Sequence, residues 1–416
     1  MHLTEEEKGI VRGDRGEAAA EALRGQLEVG GFFGAERLVP VSNVHMMGDI
    51  EVMGDGGLDF LRRTAESGAR CVVETTTNAR CFDFAHVEEL NQSQENAAKE
   101  RELISCLQKI GVMTTDTCIN YQALYQPHPG EHVAWGDTGT VIYANSVLGA
   151  RSNFESGPAA LAAALTGRTP AYGFHLDEHR RGTFLVRVEA KPNDLADWGA
   201  LGKLVGEGHQ DYYAVPVLTG LDPTPTADEL KHLGASLASH GSMGMYHAVG
   251  VTAEARTVED AFGGRDPEHE IVVTDGDLEG VYAGYQTGDD GANLVVFSAP
   301  QLSLYELKTL ADLLEDRKVR EETSLIVTTN RGYKAAGENL GYLQKIEDAG
   351  GTVLEGVCFY ILDGVARMRA ENGWKNLVTN SAKLANIIKA HRYNPILRPT
   401  EECVRIAVTG RIEGPP

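Results

Sequence analysis

Residues 70–80 read RCVVETTTNAR. The apolar run Arg70–Glu74 predicts a short buried strand, and the small polar residues after it predict the loop at its carboxyl end. The surrounding elements alternate. Upstream, RLVPVSNVHM (37–46) predicts a strand reaching a polar loop at Ser42–His45, and Leu58–Ser67 predicts a helix closed by Gly68. Downstream, residues 94–110 predict an amphipathic helix with Gly111 as its C′ residue, and GVMTTDTC (111–118) predicts another strand. Thr4 with Glu7 forms an S/T-x-x-E capping box that opens a helical pattern to about Leu27. Helices alternating with short buried strands are the pattern of an α/β fold.

The alternation continues. Ala159–Leu165 reads as a helix, 182–190 as a strand and 227–239 as a helix. GMYHAVGVT (244–252), IVVTDGDL (271–278), NLVVFSAPQLS (293–303), TSLIVTTN (323–330) and TVLEGVCFYIL (352–362) read as strands. The Pro-containing break LDPTPT at 221–226 is the expected boundary between an N-terminal region, 1–220, and a C-terminal region, 221–416.

Composition narrows the function classes. The 416 residues carry 38 Lys+Arg against 60 Asp+Glu, a formal charge of −22. That charge argues against nucleic acid and anionic lipid surfaces as partners. No basic n-region precedes an apolar h-region, and no stretch reaches 18 uncharged apolar residues, so neither a signal peptide nor a membrane span is expected. Six cysteines in a chain of this length suit reduced thiols in a cytoplasm better than a disulfide scaffold. Glycine is in excess: 47 of 416 is about 11%, against ~7% in typical proteins.

Several motif matches fail on chemistry. Asp137-Thr138-Gly139 matches the aspartic-protease triplet but occurs once, and that chemistry needs two aspartates sharing a proton. His175–His179 matches H-x-x-E-H, but Gly173 and Gly182 leave too little room for a sustained helix, so it reads as a charged connector. Neither a P-loop nor G-x-G-x-x-G is present.

A stronger signal is positional. The clusters SNVH, TTTNAR, DTCINY, SAPQLS and GVC each adjoin an apolar strand. In open α/β sheets ligands bind outside the carboxyl ends of the strands, so one shared cleft is expected. Cys118 and Cys358 lie in two of these clusters and are candidate metal ligands, although each also suits a buried thiol. YANSVLGARSNFES (143–156) contributes Asn145, Ser146, Arg151 and Asn153, and TNSAKLA (379–385) contributes Asn380, Ser381 and Lys383. Arg151 and Lys383 are the candidate anion ligands, and His45 is a candidate acid, base or hydrogen-bond donor.

At these residues the chain resembles the large subunit of the aconitase X family, which contains cis-3-hydroxyproline dehydratases and mevalonate 5-phosphate dehydratases. The resemblance runs nearly end to end and is most specific at YANSVLGARSN and ALTGRTP. It implies an aconitase-like, multi-domain α/β large subunit lacking the fused small swivelling domain, with a separate small subunit as partner. It also implies a hydro-lyase acting on a small hydroxy-carboxylate such as a hydroxyproline-like acid or mevalonate 5-phosphate. In this reading His45, Asp137, Ser146 and Lys383 are catalytic. Thr76, Thr77, Asn78, Asn145, Arg151, Asn153, Asn380 and Ser381 contact a small anionic substrate.

The family implies an iron–sulfur cluster on three cysteines, matching Cys118, Cys358 and a third in a G-C-P-H segment. Here that segment is Ser298-Ala299-Pro300-Gln301, so Ala299 stands where the third thiolate is expected. The E-S-S expected after HVAW is also altered, to Asp137-Thr138-Gly139 preceded by Gly136. Two cysteines with a carboxylate or water would hold a smaller cluster or a single metal, at lower affinity. Without a metal Lewis acid the departing hydroxyl needs a positioned general acid, and Asp137 is the sequence candidate. The alternatives are a diverged, cluster-poor lyase or isomerase of specialised metabolism, and a non-catalytic subunit.

Overall fold

The computed structural model describes residues 1–285 and 291–412. The strands in chain order are β1 (Leu38–Pro40), β2 (Asn43–Met46), β3 (Glu74–Thr77), β4 (Ala134–Trp135), β5 (Arg168–Pro170), β6 (Phe184–Val188) and β7 (Pro216–Thr219). They continue as β8 (His247–Ala248), β9 (Glu270–Val273), β10 (Leu294–Leu302), β11 (Ser324–Thr329), β12 (Gly351–Glu355), β13 (Asn376–Thr379) and β14 (Asn394–Leu397). Three parallel sheets result, ordered β3-β2-β4, β8-β7-β6-β9 and β12-β11-β10-β13-β14, with a small antiparallel β1-β5 pair. Parallel pairing needs helical crossovers, and the helices between strands supply them, so the α/β expectation holds. The break at 221–226 joins β7 to the helix Ala227–Gly241. The four-stranded sheet therefore takes strands from both sides of it.

Local chemistry sets most boundaries. Thr4 and Glu7 make the capping box, but the helix is Glu5–Val11, and a second helix, Glu17–Phe32, follows. Gly13 and Gly16 between them have φ of +92° and +89°, which divides the single helix expected to Leu27. The helix expected over 58–67 begins earlier, at Ile50, where Asp49 caps it. Ser93 caps Gln94–Lys109 as the amphipathic pattern implies, and Gly111 follows at φ +96°.

The strand expected at Arg70–Glu74 starts four residues later and ends three later, at Glu74–Thr77. Cys71 N–H donates to Ile110 O and Val72 N–H to Ala164 O, so the ladder with β2 starts only at Glu74. The threonines meant for the loop form the strand instead. GVMTTDTC makes a single bridge, Met113 to Thr76, and then turns at Asp116 with φ +54°. In GMYHAVGVT only His247–Ala248 pair. His175–His179 falls in two short 3-10 turns, as expected of a connector.

The five-stranded sheet has one irregularity that shapes the site. Phe297 pairs with Val327, yet Leu302 pairs with Thr329. Ser298-Ala299-Pro300-Gln301 therefore bulges out of the β10–β11 ladder while staying buried.

Candidate functional site

Side chains from two of the parallel sheets, β3-β2-β4 and β12-β11-β10-β13-β14, and from their loops meet around the β10 bulge. His45 comes from the middle of β2, Asn78 from the end of β3, and Asp137 from the loop after β4. Cys118 follows the turn at Asp116, Cys358 follows β12, and Lys383 opens the helix after β13. Sequence order scatters them, and parallel strands gather their carboxyl ends.

Lys383 is the charged centre. Its Nζ lies 3.5 Å from Asp137 Oδ1 and 3.4 Å from Thr138 Oγ1. Burial works against its charge, but Asp137 and the two nearby sulfurs outweigh it and hold the ammonium above its ordinary pKa. Asp137 caps the helix Thr138–Ser146, accepting from Gly139 N–H at 2.9 Å. Gly139 leaves room for the cap: a Cβ there would lie 3.1 Å from Asp137 Oδ2. In this arrangement Asp137 is an acceptor on both sides. Its neighbour Lys383 is the N–H donor facing it.

His45 is fully buried. Burial lowers its pKa to about 4, outweighing Asp137, the Thr117 backbone and Asn78, which favour the charge. Its Nδ1 lies 2.8 Å from Thr76 Oγ1, and that hydroxyl donates to Val44 O at 3.3 Å. The Thr76 oxygen therefore accepts from His45 Nδ1–H, which assigns the bare nitrogen to Nε2. Neither Nε2 nor Asn78 Oδ1 makes a hydrogen bond of good geometry among the described residues, and the Asn78 side chain lies beside the imidazole.

Two residues that the sequence did not single out share this condition. Asn120 is buried with both amide atoms unpartnered, and the Tyr121 hydroxyl is buried and unpartnered. Tyr121 stacks on Tyr143 with ring centroids 4.0 Å apart, and its phenol is pushed well above 10 by burial and by Cys118. Their sequence signal is membership of the DTCINY cluster, which holds Cys118.

Other expected site residues are fully engaged in structure. Asn145 donates to Ser152 O and Gly244 O at 2.9 Å and accepts from Ser152 N at 2.9 Å. Ser146 Oγ accepts from Tyr246 N, and Asn153 donates to Tyr172 O while accepting from Phe174 N and the Tyr212 hydroxyl. Arg151 donates to His175 O at 3.0 Å and pairs with Asp177. Among the described residues Arg151 and Lys383 pair with different carboxylates, Asp177 and Asp137. Thr77 Oγ1 donates to Asp116, and Asn380 donates to Thr400 Oγ1. Ser381 caps the Lys383 helix and donates to Ala299 O at 2.6 Å.

The donor set does not fit a cluster held on three thiolates. Cys118 and Cys358 lie close enough that Cys358 disfavours a charge on Cys118, and Lys383 favours the charged form of both. Burial above all pushes the Cys118 thiol up to about 12. Ala299, at 2% exposure, offers only a methyl group in the bulge. Among the described residues no group of three or more His, Cys, Asp or Glu is placed to hold a metal, so Asp137 does not complete a set with the thiols. No helix among the described residues is long and apolar enough to cross a membrane.

Comparison with known proteins agrees with this architecture. Models of the aconitase X first, second and third domains match residues 1–178, 182–283 and 292–409. The chain is 34% identical to the phosphomevalonate dehydratase large subunit of Thermococcus kodakarensis, over 98% of this chain and 100% of the relative. It is 36% identical to that of Methanothermobacter thermautotrophicus, over 93% and 94%. Against the cis-3-hydroxy-L-proline dehydratase of Pseudomonas aeruginosa it is 32% identical, over 91% of this chain and 65% of the relative. The crystal structure of Thermococcus kodakaraensis aconitase X in its holo-form superposes with a TM-score of 0.87 at 33% identity, covering 98% of this chain and 100% of that one. The chain belongs to the aconitase X family.

Proposed function

We propose that the chain is the large subunit of a hydro-lyase that removes water from a small hydroxy-carboxylate, such as mevalonate 5-phosphate or a hydroxyproline-like acid. One observation carries the reading. Buried polar atoms left without partners (His45 Nε2, Asn78 Oδ1, the Asn120 amide, the Tyr121 hydroxyl) occur around a buried Lys383–Asp137 pair, in a chain related to dehydratase subunits. Orphaned buried polar groups cost about 1–3 kcal/mol each, a cost that a bound polar ligand offsets.

In this reading Lys383 binds the substrate and gives a proton to the hydroxyl oxygen as the C–O bond breaks, releasing water. Asp137 holds Lys383 charged and in place. Asn120 and Tyr121 donate to the substrate's oxygens, Asn78 accepts through Oδ1, and the Tyr143 ring fixes Tyr121. His45 accepts from the substrate hydroxyl through Nε2. A pKa near 4 makes it a poor base for a proton alpha to a carboxylate. That base must come from elsewhere. A separate small subunit is its source in this reading, since several relatives are named large subunits and the fused-length dehydratase relative is longer than this chain.

The test is direct. The chain, co-expressed with its small-subunit partner, is incubated with mevalonate 5-phosphate or with cis-3-hydroxy-L-proline, and the alkene protons of the product are followed by NMR. Absence of dehydration with both substrates, in a folded complex, contradicts the assignment.

A further inference from the structure

We propose that the Cys118–Cys358 pocket is a metal-free thiol site in which Gln301 holds the two cysteine loops together, doing structurally what a shared cluster would otherwise do.

Gln301 is fully buried in the β10 bulge, and both ends of the residue are committed. Its backbone N–H donates to Cys118 Sγ at 3.2 Å. Its side-chain Oε1 accepts from Cys118 N–H at 3.3 Å. Its Nε2 donates to Asp116 O and to Val357 O, each at 3.2 Å. Val357 immediately precedes Cys358, so one amide side chain ties the Cys118 loop to the Cys358 loop. Ser298, at the other side of the bulge, accepts from Phe359 N–H at 3.1 Å and ties down the far side of Cys358.

The donor set opposes metal. Cys118 and Cys358 together supply only two of the four ligands of a tetrahedral site, and among the described residues no third His, Cys, Asp or Glu joins them. Lys383 brings a positive charge beside both sulfurs, where a cation would have to sit. The bulge residue facing them, Ala299, has φ +53° and its carbonyl is bound by Ser381, so its backbone is fixed as well. This inference concerns the pocket's contents and holds for any substrate.

Two measurements test it. In the first, the full chain is purified anaerobically, incubated with ferrous iron, sulfide and thiol reductant, and desalted. The expected result is a colourless protein with iron, zinc and acid-labile sulfide all far below one per chain. Stoichiometric iron with sulfide, or one tightly bound zinc or iron per chain, overturns the proposal. In the second, native alkylation by iodoacetamide is read at each cysteine by mass spectrometry. Gln301→Ala, or the milder Gln301→Glu should the first not fold, is expected to speed labelling of both Cys118 and Cys358 several-fold while leaving Cys71 unchanged. Unchanged labelling of Cys118 and Cys358 in a folded variant overturns the clamp. Neither readout depends on turnover, so a failed dehydration assay leaves this result standing, and the reverse.

Discussion

The block from Asn145 to Asn153 and the pocket from His45 to Lys383 are both made of buried polar side chains, yet they use their hydrogen bonds in opposite ways. In the first, each amide is matched: Asn145 serves Ser152 and Gly244, and Asn153 serves Tyr172, Phe174 and Tyr212. In the second, His45 Nε2, Asn78 Oδ1 and the Tyr121 hydroxyl end without partners. In the proposed reading the matched groups build the wall and the unmatched groups of this pocket face the substrate. A polar motif in a sequence does not say which of the two it is.

Substitutions on the two sides should therefore separate activity from stability. The largest effect is expected at Lys383. Lys383→Met removes the proposed proton donor and should lower kcat/KM by roughly 10²–10⁴-fold, with an unchanged far-UV spectrum. Asn145→Ala should do the opposite. It strands the Ser152 N–H and the Gly244 carbonyl, at about 1–3 kcal/mol for each unpaired group, and lowers the denaturation midpoint while the folded fraction keeps its specific activity.

The buried histidines sharpen the contrast through pH. His45, His132 and His240 are held at about 4, against 6.5 when unfolded. Between these values the unfolded chain binds protons that the folded chain refuses. Their contribution is thus complete above about pH 6.5 and falls as pH drops toward 4. At ~1.4 kcal/mol per pH unit, His45 alone accounts for on the order of 3 kcal/mol of that loss. Denaturant midpoints measured across this range should fall steadily, and less steeply in His45→Gln. The smallest effect is expected at Arg151. Its partner Asp177 is mostly exposed, so Arg151→Gln should cost under about 1 kcal/mol and leave turnover near wild type.

The fold was legible because its signals are local and periodic. Apolar runs between helical stretches marked the parallel sheets, and the capping box at Thr4 marked a helix start. What the sequence misplaced depended on distant partners. Val72 is drawn to Ala164, which pushes β3 onto the threonines, and the bulge at Ser298–Gln301 arises only from pairing with β11. The site was legible in part for the same reason. Cys118, Cys358 and Lys383 stand out as residue types, and the substitution at Ala299 is visible directly. Asn120 and Tyr121 carry no such mark, because being unpartnered is a property of the folded surroundings.

The central claim is that the open pocket around Lys383, and not the Arg151 block, performs the reaction. It is tested most directly by assaying wild type, Lys383→Met and Arg151→Gln side by side, each with the small subunit, by NMR of the alkene product. The account predicts no detectable dehydration by Lys383→Met and near wild-type dehydration by Arg151→Gln. A folded Lys383→Met complex that turns over normally, or a folded Arg151→Gln complex that does not, would contradict it.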